Sequence, residues 1–275
     1  MFEECKSLEN ILIPSSLILI EENAFHKCES LKQIKIPSSV ISIENFAFSE
    51  CYSLTNVIID APSSLTSIGQ FAFNKCSLIT EFSIPNSVKI IKKGTFKYCT
   101  SLKKIEIPSS VVTIEESAFN GCSELAQISI PPFLNVIQRK VLKGCSSLKE
   151  ISIPSSVVFI EEGAFKYCHN IEHIEIPSTL TSIEDSAFFE CSSLMQITIP
   201  PSVTSINNSA FYSCSSLIEI SIPSSVTSIG ECSFCKCISL TELLIPSSVT
   251  DIGNNAFKNS TKFSGENIFK QNFCH

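Results

Sequence analysis

A 23-residue repeat is the feature that most constrains how this chain can fold. A proline opens each of eleven units, and successive prolines are 23 residues apart except between Pro37 and Pro62, where Asp60 and Ala61 are added. Isoleucine stands six residues after every one of these prolines, and phenylalanine stands eleven residues after all of them but one, which has Leu142 instead. A period of this length, kept without drift of register, predicts a solenoid in which each unit is one coil.

Each unit combines two short extended segments with two turns. The stretch L-x-x-I-x-I has the alternation of a strand with one apolar face, and the proline after it cannot donate to a strand ladder. The Ser-Ser that follows is a turn signal, and its hydroxyls can satisfy backbone groups of the loop. We predict that V-x-x-I is a second short strand, and that A-F-x-x-C is a single helical turn that carries Phe and Cys into the interior.

One unit is too small to bury its own apolar face, so stability requires stacking. Coils that repeat at the strand spacing of roughly 4.8 Å place like side chains on one another, in continuous Ile, Phe, Leu and Cys ladders. The sequence predicts a solenoid at residues 1–259, with about eleven units and a truncated first unit, and a degenerate repeat or cap at residues 260–275. The truncated first unit favours a fragment over a natural start. Representative ladder residues are Ile160, Phe165, Cys168, Ile183, Phe188 and Cys191.

Composition narrows the classes of function. Apolar residues make up 44% of the chain and charged residues 17%, so the chain should fold rather than stay disordered. Ser, Glu, Lys or Pro interrupts every apolar run well before the ~18 residues of a membrane span, and the first residues show no secretory signal. Lys and Arg total 20 against 27 acidic residues and form no basic block, which argues against nucleic acid as the main partner.

Fourteen cysteines raise the question of disulfide, metal and redox chemistry. Eleven share one slot of the repeat, where ladder neighbours ~4.8 Å apart with parallel Cβ vectors are poorly placed for a disulfide. Ser260 takes this slot in the last unit, so we interpret it as a slot for a small buried side chain. Cys232 and Cys235 lie off the ladder in a C-x-x-C. A metal site or redox clip is one interpretation, but no second pair or nearby His completes a zinc site, which favours incidental loop thiols.

No motif typical of an enzyme is present. The chain lacks a P-loop, G-x-S-x-G and H-E-x-x-H, and paired carboxylates such as Glu161 and Glu162 fall in a loop that faces solvent. The His residues are not spaced as metal ligands on a helix; they are His26, His169, His173 and His275. We therefore expect no catalysis, no cofactor and no metal.

Function is instead expected on the exposed x positions of L-x-x-I-x-I. From Glu172 onward this face has no Lys or Arg, yet it carries several Glu and three apolar residues. That combination favours a basic or cation-bearing protein partner, with an ordinary solvated sheet as the alternative. His173, between Glu150 and Gln196, would make such binding sensitive to pH. The candidate ligand face consists of Glu150, Glu172, His173, Glu175, Met195, Gln196, Thr198, Ile218, Glu219, Ser221, Glu242 and Leu244.

The consensus C-x-x-L-x-x-I-x-I-P-S-S-V-x-x-I-x-x-x-A-F resembles the 23-residue, treponemal-type leucine-rich repeats of the BspA-like surface proteins. The resemblance extends from Phe2 to about Phe263. It implies a leucine-rich-repeat right-handed superhelix with a parallel β-sheet on its concave face, used at cell surfaces to adhere to host, matrix or microbial proteins. The chain departs from such proteins because it shows no signal peptide, no membrane anchor and no recognisable N-terminal cap.

Two functions of different class therefore stay open. An extracellular, adhesin-like recognition protein is what the resemblance implies, and the N-x-S/T sequons at Asn207 and Asn259 allow it. An intracellular scaffold for protein–protein interaction is favoured by the missing signal and by a spare thiol such as Cys232. The sequence names neither the ligand nor the oligomeric state.

Overall fold

Twenty short strands, each of two to four residues, lie within residues 2–260, which are the residues that this computed structural model describes. In chain order they are β1 Leu19–Ile20, β2 Gln33–Ile36, β3 Ser42–Ile43, β4 Asn56–Ile59, β5 Ser67–Ile68, β6 Glu81–Ser83, β7 Ile90–Ile91, β8 Lys104–Glu106, β9 Thr113–Ile114, β10 Val136–Ile137, β11 Glu150–Ser152, β12 Phe159–Ile160, β13 His173–Glu175, β14 Ser182–Ile183, β15 Gln196–Thr198, β16 Ser205–Ile206, β17 Glu219–Ser221, β18 Ser228–Ile229, β19 Glu242–Leu244 and β20 Asp251–Ile252. Each described pairing is parallel and joins residues one repeat apart. Apart from Ser260, the predicted cap at residues 260–275 lies outside the described residues.

The strands form two parallel sheets along the solenoid. The L-x-x-I-x-I segments form what we call the front sheet, and the V-x-x-I segments form the side sheet. The front sheet consists of the pairs β2-β4 and β6-β8 and a continuous run β11-β13-β15-β17-β19. The side sheet is divided into β1-β3-β5, β7-β9 and β10-β12-β14-β16-β18-β20. The predicted parallel-sheet solenoid is therefore confirmed.

Both sheets are interrupted at the coil that departs most from the repeat. Residues 126–130 form no strand, and Pro132 and Phe133 replace the usual Ser-Ser just after them. A second proline removes a backbone donor. Phe133 also removes a hydroxyl that elsewhere joins the coils: Ser225 Oγ, for example, donates to the Val203 carbonyl of the preceding coil at 2.6 Å. From β10 onward both sheets are uninterrupted, although Pro201 also follows a repeat proline there, so a second proline alone does not break the pairing.

The A-F-x-x-C segment is a turn, and the described residues contain no helix, so the predicted helical turn is wrong in detail. In one such turn Gly163 and Tyr167 have φ of 61° and 65°, in the left-handed region. The N–H groups of Gly163, Phe165 and Tyr167 donate to carbonyls of the next coil at 2.8 to 3.0 Å. A helix would turn every N–H back onto its own segment. Every second N–H of the turn is instead directed to the neighbouring coil, and the left-handed residues Gly163 and Tyr167 stand at its two ends.

The interior consists of the predicted ladders. Neighbouring Phe rings stack with centroids 5.1 to 5.7 Å apart and planes within 11° of parallel. The representative residues Ile160, Phe165, Cys168, Ile183, Phe188 and Cys191 are all fully buried. Leu142 interrupts the Phe ladder, and a gap of about 10 Å³ lies beside it, next to Val141 and Phe119. The core around Leu142 is therefore less completely filled than the core around the phenylalanines of the ladder.

The Cys slot holds a hydrogen-bond donor as well as a small side chain. The Cys168 thiol donates to the Leu142 carbonyl at 3.1 Å, and the Cys191 thiol donates to the Phe165 carbonyl at 3.3 Å. Burial raises the pKa of the Cys168 thiol to about 12, so it keeps the proton that it donates. Ser260 makes the same bond with its hydroxyl. Our interpretation of this slot as one for small size alone was therefore incomplete.

Candidate protein-binding face

The five-stranded run of the front sheet carries the candidate ligand face. Its strands pair in register, so that Glu150, His173, Gln196, Glu219 and Glu242 form one column across the coils. Side chains alternate between the two faces of a strand, and the isoleucines between these columns point into the core. The strand period therefore brings together on one surface residues that are 23 positions apart in sequence.

The remaining face residues lie in two further columns. One contains Glu175, Thr198, Ser221 and Leu244, and the other contains Glu172, Met195 and Ile218. In the second column the Met195 N–H donates to the Glu172 carbonyl at 3.2 Å, and the Ile218 N–H donates to the Met195 carbonyl at 3.1 Å. These bonds extend the front sheet by one residue per coil, and they hold this column at the edge of that sheet.

Three apolar side chains of the face are open to solvent. Met195, Ile218 and Leu244 are 42%, 46% and 82% exposed. Met195 and Ile218 follow one another coil to coil, so they form a short apolar stripe between the carboxylates. Apolar side chains next to one another and ringed by polar groups are typical of surfaces that bind other molecules.

Lysines on the first half of the front sheet have carboxylate partners. Lys32 Nζ lies 2.8 Å from Glu9 Oε2, and Lys104 Nζ lies 2.8 Å from Glu106 Oε1. The hydrogen bond to Lys104 is the main cause that lowers the pKa of Glu106. Charge on this half is therefore largely balanced within the sheet.

The five-stranded run is different, because three carboxylates on or beside it form no ion pair with a lysine or an arginine. Within residues 2–260, Glu150, Glu172 and Glu219 form no ion pair with Lys or Arg. Glu175 Oε1 lies 3.9 Å from His173 Nε2, a contact that is ionic only when the imidazole is protonated. The surface therefore presents unneutralised negative charge beside the apolar stripe.

A shallow recess of about 620 Å³ opens at the start of the face. Gln127 and Ser129 line one side, and Glu150, His173 and Glu175 line the other. It lies beside the coil in which residues 126–130 form no strand. Sequence analysis did not predict it, because the departure of that coil from the repeat does not by itself say that the front sheet will break there.

Sequence analysis also missed an aromatic cluster on the turn side of the solenoid. The Phe189 and Tyr212 rings stack at 4.6 Å, and Tyr167 meets Phe189 edge-on at 5.6 Å. Lys166 Nζ lies 3.8 Å from the Phe189 ring centroid, and partial burial lowers the pKa of Lys166. These residues occupy the x positions of A-F-x-x-C, so comparison of those columns between repeats was the signal that could have found them.

Across the described part of the chain, no group of three or more His, Cys, Asp and Glu side chains is placed to hold a metal ion. Within the same residues, no helix is long and apolar enough to traverse a bilayer. What the face offers a ligand is an open sheet, carboxylates and an apolar stripe.

One 23-residue unit per coil, parallel sheets, buried ladders of Ile, Leu, Phe and Cys, and an open polar sheet together define a leucine-rich repeat protein. The profile of the BspA type leucine rich repeat region, six copies long, matches residues 1–126, 58–172 and 158–272. The chain therefore belongs to the BspA-type leucine-rich repeat family, whose solenoids are typically protein-binding scaffolds rather than enzymes.

Solved structures of bacterial leucine-rich repeat proteins are similar to this chain. A leucine-rich repeat protein from Bacteroides ovatus shares 26% identity with a TM-score of 0.65, over 88% of this chain and 80% of that one. One from Eubacterium ventriosum shares 23% identity with a TM-score of 0.54, over 90% and 82%. A leucine rich cell surface protein from Faecalibacterium prausnitzii shares 26% identity with a TM-score of 0.43, over 90% and 87%. No curated protein is significantly similar to the chain.

Proposed function

We propose that this chain is a non-enzymatic recognition protein of the cell surface, adhesin-like, that binds a basic protein partner through the candidate ligand face. Membership of the BspA-type family supports protein binding. The observation that carries the choice of face is that Glu150, Glu172 and Glu219 form no ion pair with Lys or Arg within residues 2–260. Such a surface attracts a cationic partner and speeds its association.

The spacing of the face suggests how a partner would lie. Glu175 and Glu219 are two coils apart and also two residues apart along the strand direction, which is roughly 12 Å at the usual strand and residue spacings. An extended chain that crosses the strands diagonally covers this distance in about three to four residues. Basic residues three or four apart would then meet both carboxylates, and a neighbouring apolar residue of the same chain would pack on the apolar stripe beside them.

A designed peptide tests this arrangement directly. The probe is a twelve-residue peptide with Lys at every third position and Leu between, and its binding to the full chain is measured by isothermal titration at two salt concentrations. We expect binding that weakens at high salt, because the contacts are exposed ion pairs. Each such pair contributes about 0.2–1 kcal/mol, so the double variant Glu175→Gln with Glu219→Gln should bind about 2- to 30-fold more weakly.

The first half of the front sheet provides the matched control. The double variant Glu81→Gln with Glu106→Gln removes the same charge from the same sheet, where Lys104 already pairs with Glu106 at 2.8 Å. It should leave the affinity unchanged. Equal weakening by both double variants would show a general effect of net charge and would contradict the proposed face.

Location needs a separate measurement. Intact cells are treated with protease, and the chain is then detected by immunoblot together with a cytosolic control protein. We expect loss of the chain while the control survives. Full protection of the chain would contradict the surface proposal and leave the intracellular scaffold for protein–protein interaction.

A further inference from the structure

Cys232 and Cys235 differ from every ladder cysteine in this chain. They lie in a turn, at positions where no other coil has a cysteine, and outside the column of buried thiols that donate to carbonyls of the preceding coil. Cys235 is 4% exposed, whereas Cys232 is only partly buried. All cysteines within the described residues are free. This coil therefore holds a buried thiol and an accessible thiol three residues apart.

The turn holds these two residues close together. The Cys235 N–H donates to the Cys232 carbonyl at 3.1 Å, which closes a tight turn between the two residues. Between them lies Ser233, whose buried hydroxyl has no hydrogen-bond partner within residues 2–260, so the turn is not fully satisfied in its dithiol form. Disulfides form between residues whose Cα atoms are about 4.4–6.8 Å apart, a separation that a closed four-residue turn provides.

We propose that Cys232 and Cys235 are a modification site that closes to an intramolecular disulfide when the protein meets a small disulfide oxidant such as oxidised glutathione. The accessible Cys232 thiolate attacks the oxidant, forms a mixed disulfide and releases one glutathione thiol. The Cys235 thiolate then attacks Cys232 Sγ, forms the protein disulfide and expels the second glutathione thiol. The two protons lost by the cysteines are taken up by the two glutathione thiols, and a dithiol reductant reverses both steps.

The ladder cysteines are excluded from this chemistry by their environment. Cys237, two residues further on, is fully buried, and its thiol donates to the Phe211 carbonyl at 3.1 Å. Burial raises its pKa to about 12, so almost none of it is the reactive thiolate near neutral pH. Burial also raises the pKa of Cys235, but Cys235 reacts only in the second step, with the mixed disulfide already held on Cys232 in the same turn. Cys5 is exposed, but its ladder neighbour Cys28 is fully buried and burial raises the pKa of Cys28 to about 12, so Cys28 is poorly suited to resolve a mixed disulfide. The pair should therefore be the site that forms a disulfide within the folded chain.

The bridge would also fix the stacking of three coils. The Cys232 N–H donates to the Asn254 carbonyl of the following coil at 3.0 Å, and the Cys235 carbonyl accepts from the Ser213 N–H of the preceding coil at 2.8 Å. A covalent link across this turn holds the donor and the acceptor in place together. We expect slower hydrogen exchange of the Cys232 and Ser213 amides after oxidation.

The test uses the full folded chain with Cys5→Ser and Cys274→Ser, treated with oxidised glutathione, alkylated and digested after Glu231. We expect the peptide that begins at Cys232 to lose two hydrogen atoms, to carry no glutathione, and to recover on reduction. Fragmentation should place the bridge between Cys232 and Cys235, and a further Cys237→Ser substitution should not prevent it.

A variant with Cys235→Ser provides the decisive control. Without the resolving thiol, we expect the glutathione adduct to accumulate on Cys232, whereas the Cys232→Ser variant should remain unmodified. A stable glutathione adduct on the chain that retains both thiols would overturn the proposal, and so would an unmodified pair or a bridge to Cys237. Because no partner is needed, this result is independent of the ligand face.

Discussion

The aromatic ladder makes a quantitative prediction about two leucine substitutions. Phe188 stacks on both Phe165 and Phe211 with centroids 5.4 Å away, whereas Phe165 stacks on Phe188 but meets Leu142 on its other side. Both rings are fully buried, so Phe165→Leu and Phe188→Leu remove the same atoms from equally dry sites. The first loses one aromatic pair and the second loses two. An aromatic pair contributes about 0.5–1.5 kcal/mol beyond its buried area, so Phe188→Leu should be more destabilising by that amount.

Urea unfolding followed by circular dichroism measures this difference. Both variants and the parent chain are unfolded in one buffer, and the midpoints are converted to free energies where the slopes agree. If the dependence of the unfolding free energy on urea concentration changes in a variant, hydrogen exchange of core amides is used in place of the urea midpoints, because repeat arrays can lose cooperativity. The double variant should cost about one aromatic pair less than the sum of the singles, since both singles remove the Phe165–Phe188 contact. Equal costs for the two single variants, or strict additivity, would refute the stacking argument.

Three further predictions concern the core and the loop hydroxyls. Val141→Ala with Leu142→Phe restores the repeat and fills the gap beside Leu142, so it should raise the free energy of unfolding by roughly 0.5–2 kcal/mol in the same urea assay. The pKa of the Cys168 thiol is about 12 when folded and lower when unfolded, so the unfolded chain loses that proton first. The free energy of unfolding should be constant below about pH 8.5 and should fall as the pH rises toward 12, by about 1.4 kcal/mol per pH unit for each such thiol. In the Cys168→Ser variant this fall should be shallower between about pH 9 and 11. Ser225→Ala leaves the Val203 carbonyl without its 2.6 Å donor and should lower the melting temperature, at a cost of about 0.5–1.5 kcal/mol.

The candidate face was predictable from the sequence to the extent that it follows the repeat. The 23-residue period placed Glu150, His173 and Gln196 in one column, and the strand register confirms that order. The period does not say which cations reach which carboxylates. Lys104 turns to Glu106 on its own strand, whereas Glu219 has no such neighbour within the described residues. Those choices depend on side-chain reach and on local competition between groups.

Local irregularities explain what the repeat could not predict. Pro132 and Phe133 are visible in the sequence, but the break in both sheets and the recess near His173 follow only when the neighbouring coils are stacked against that unit. The thiol-to-carbonyl bond from Cys168 to Leu142 likewise joins residues 26 positions apart. A slot pattern alone shows that a small side chain recurs, but it does not show what that side chain contacts.

The sequence by itself determined that this chain is a stack of like coils, because a strict period with Ile, Phe and Cys in fixed slots has no other way to bury its apolar residues. It also determined which residues are available to the solvent face of each strand. The tertiary structure decided the conformation of the A-F-x-x-C turns, because their N–H groups at residues such as Phe165 satisfy carbonyls of the next coil rather than of their own segment. It also decided where the sheets are continuous. Backbone pairing needs a suitable conformation in both neighbouring coils, and the sequence of one coil does not specify the conformation of the other.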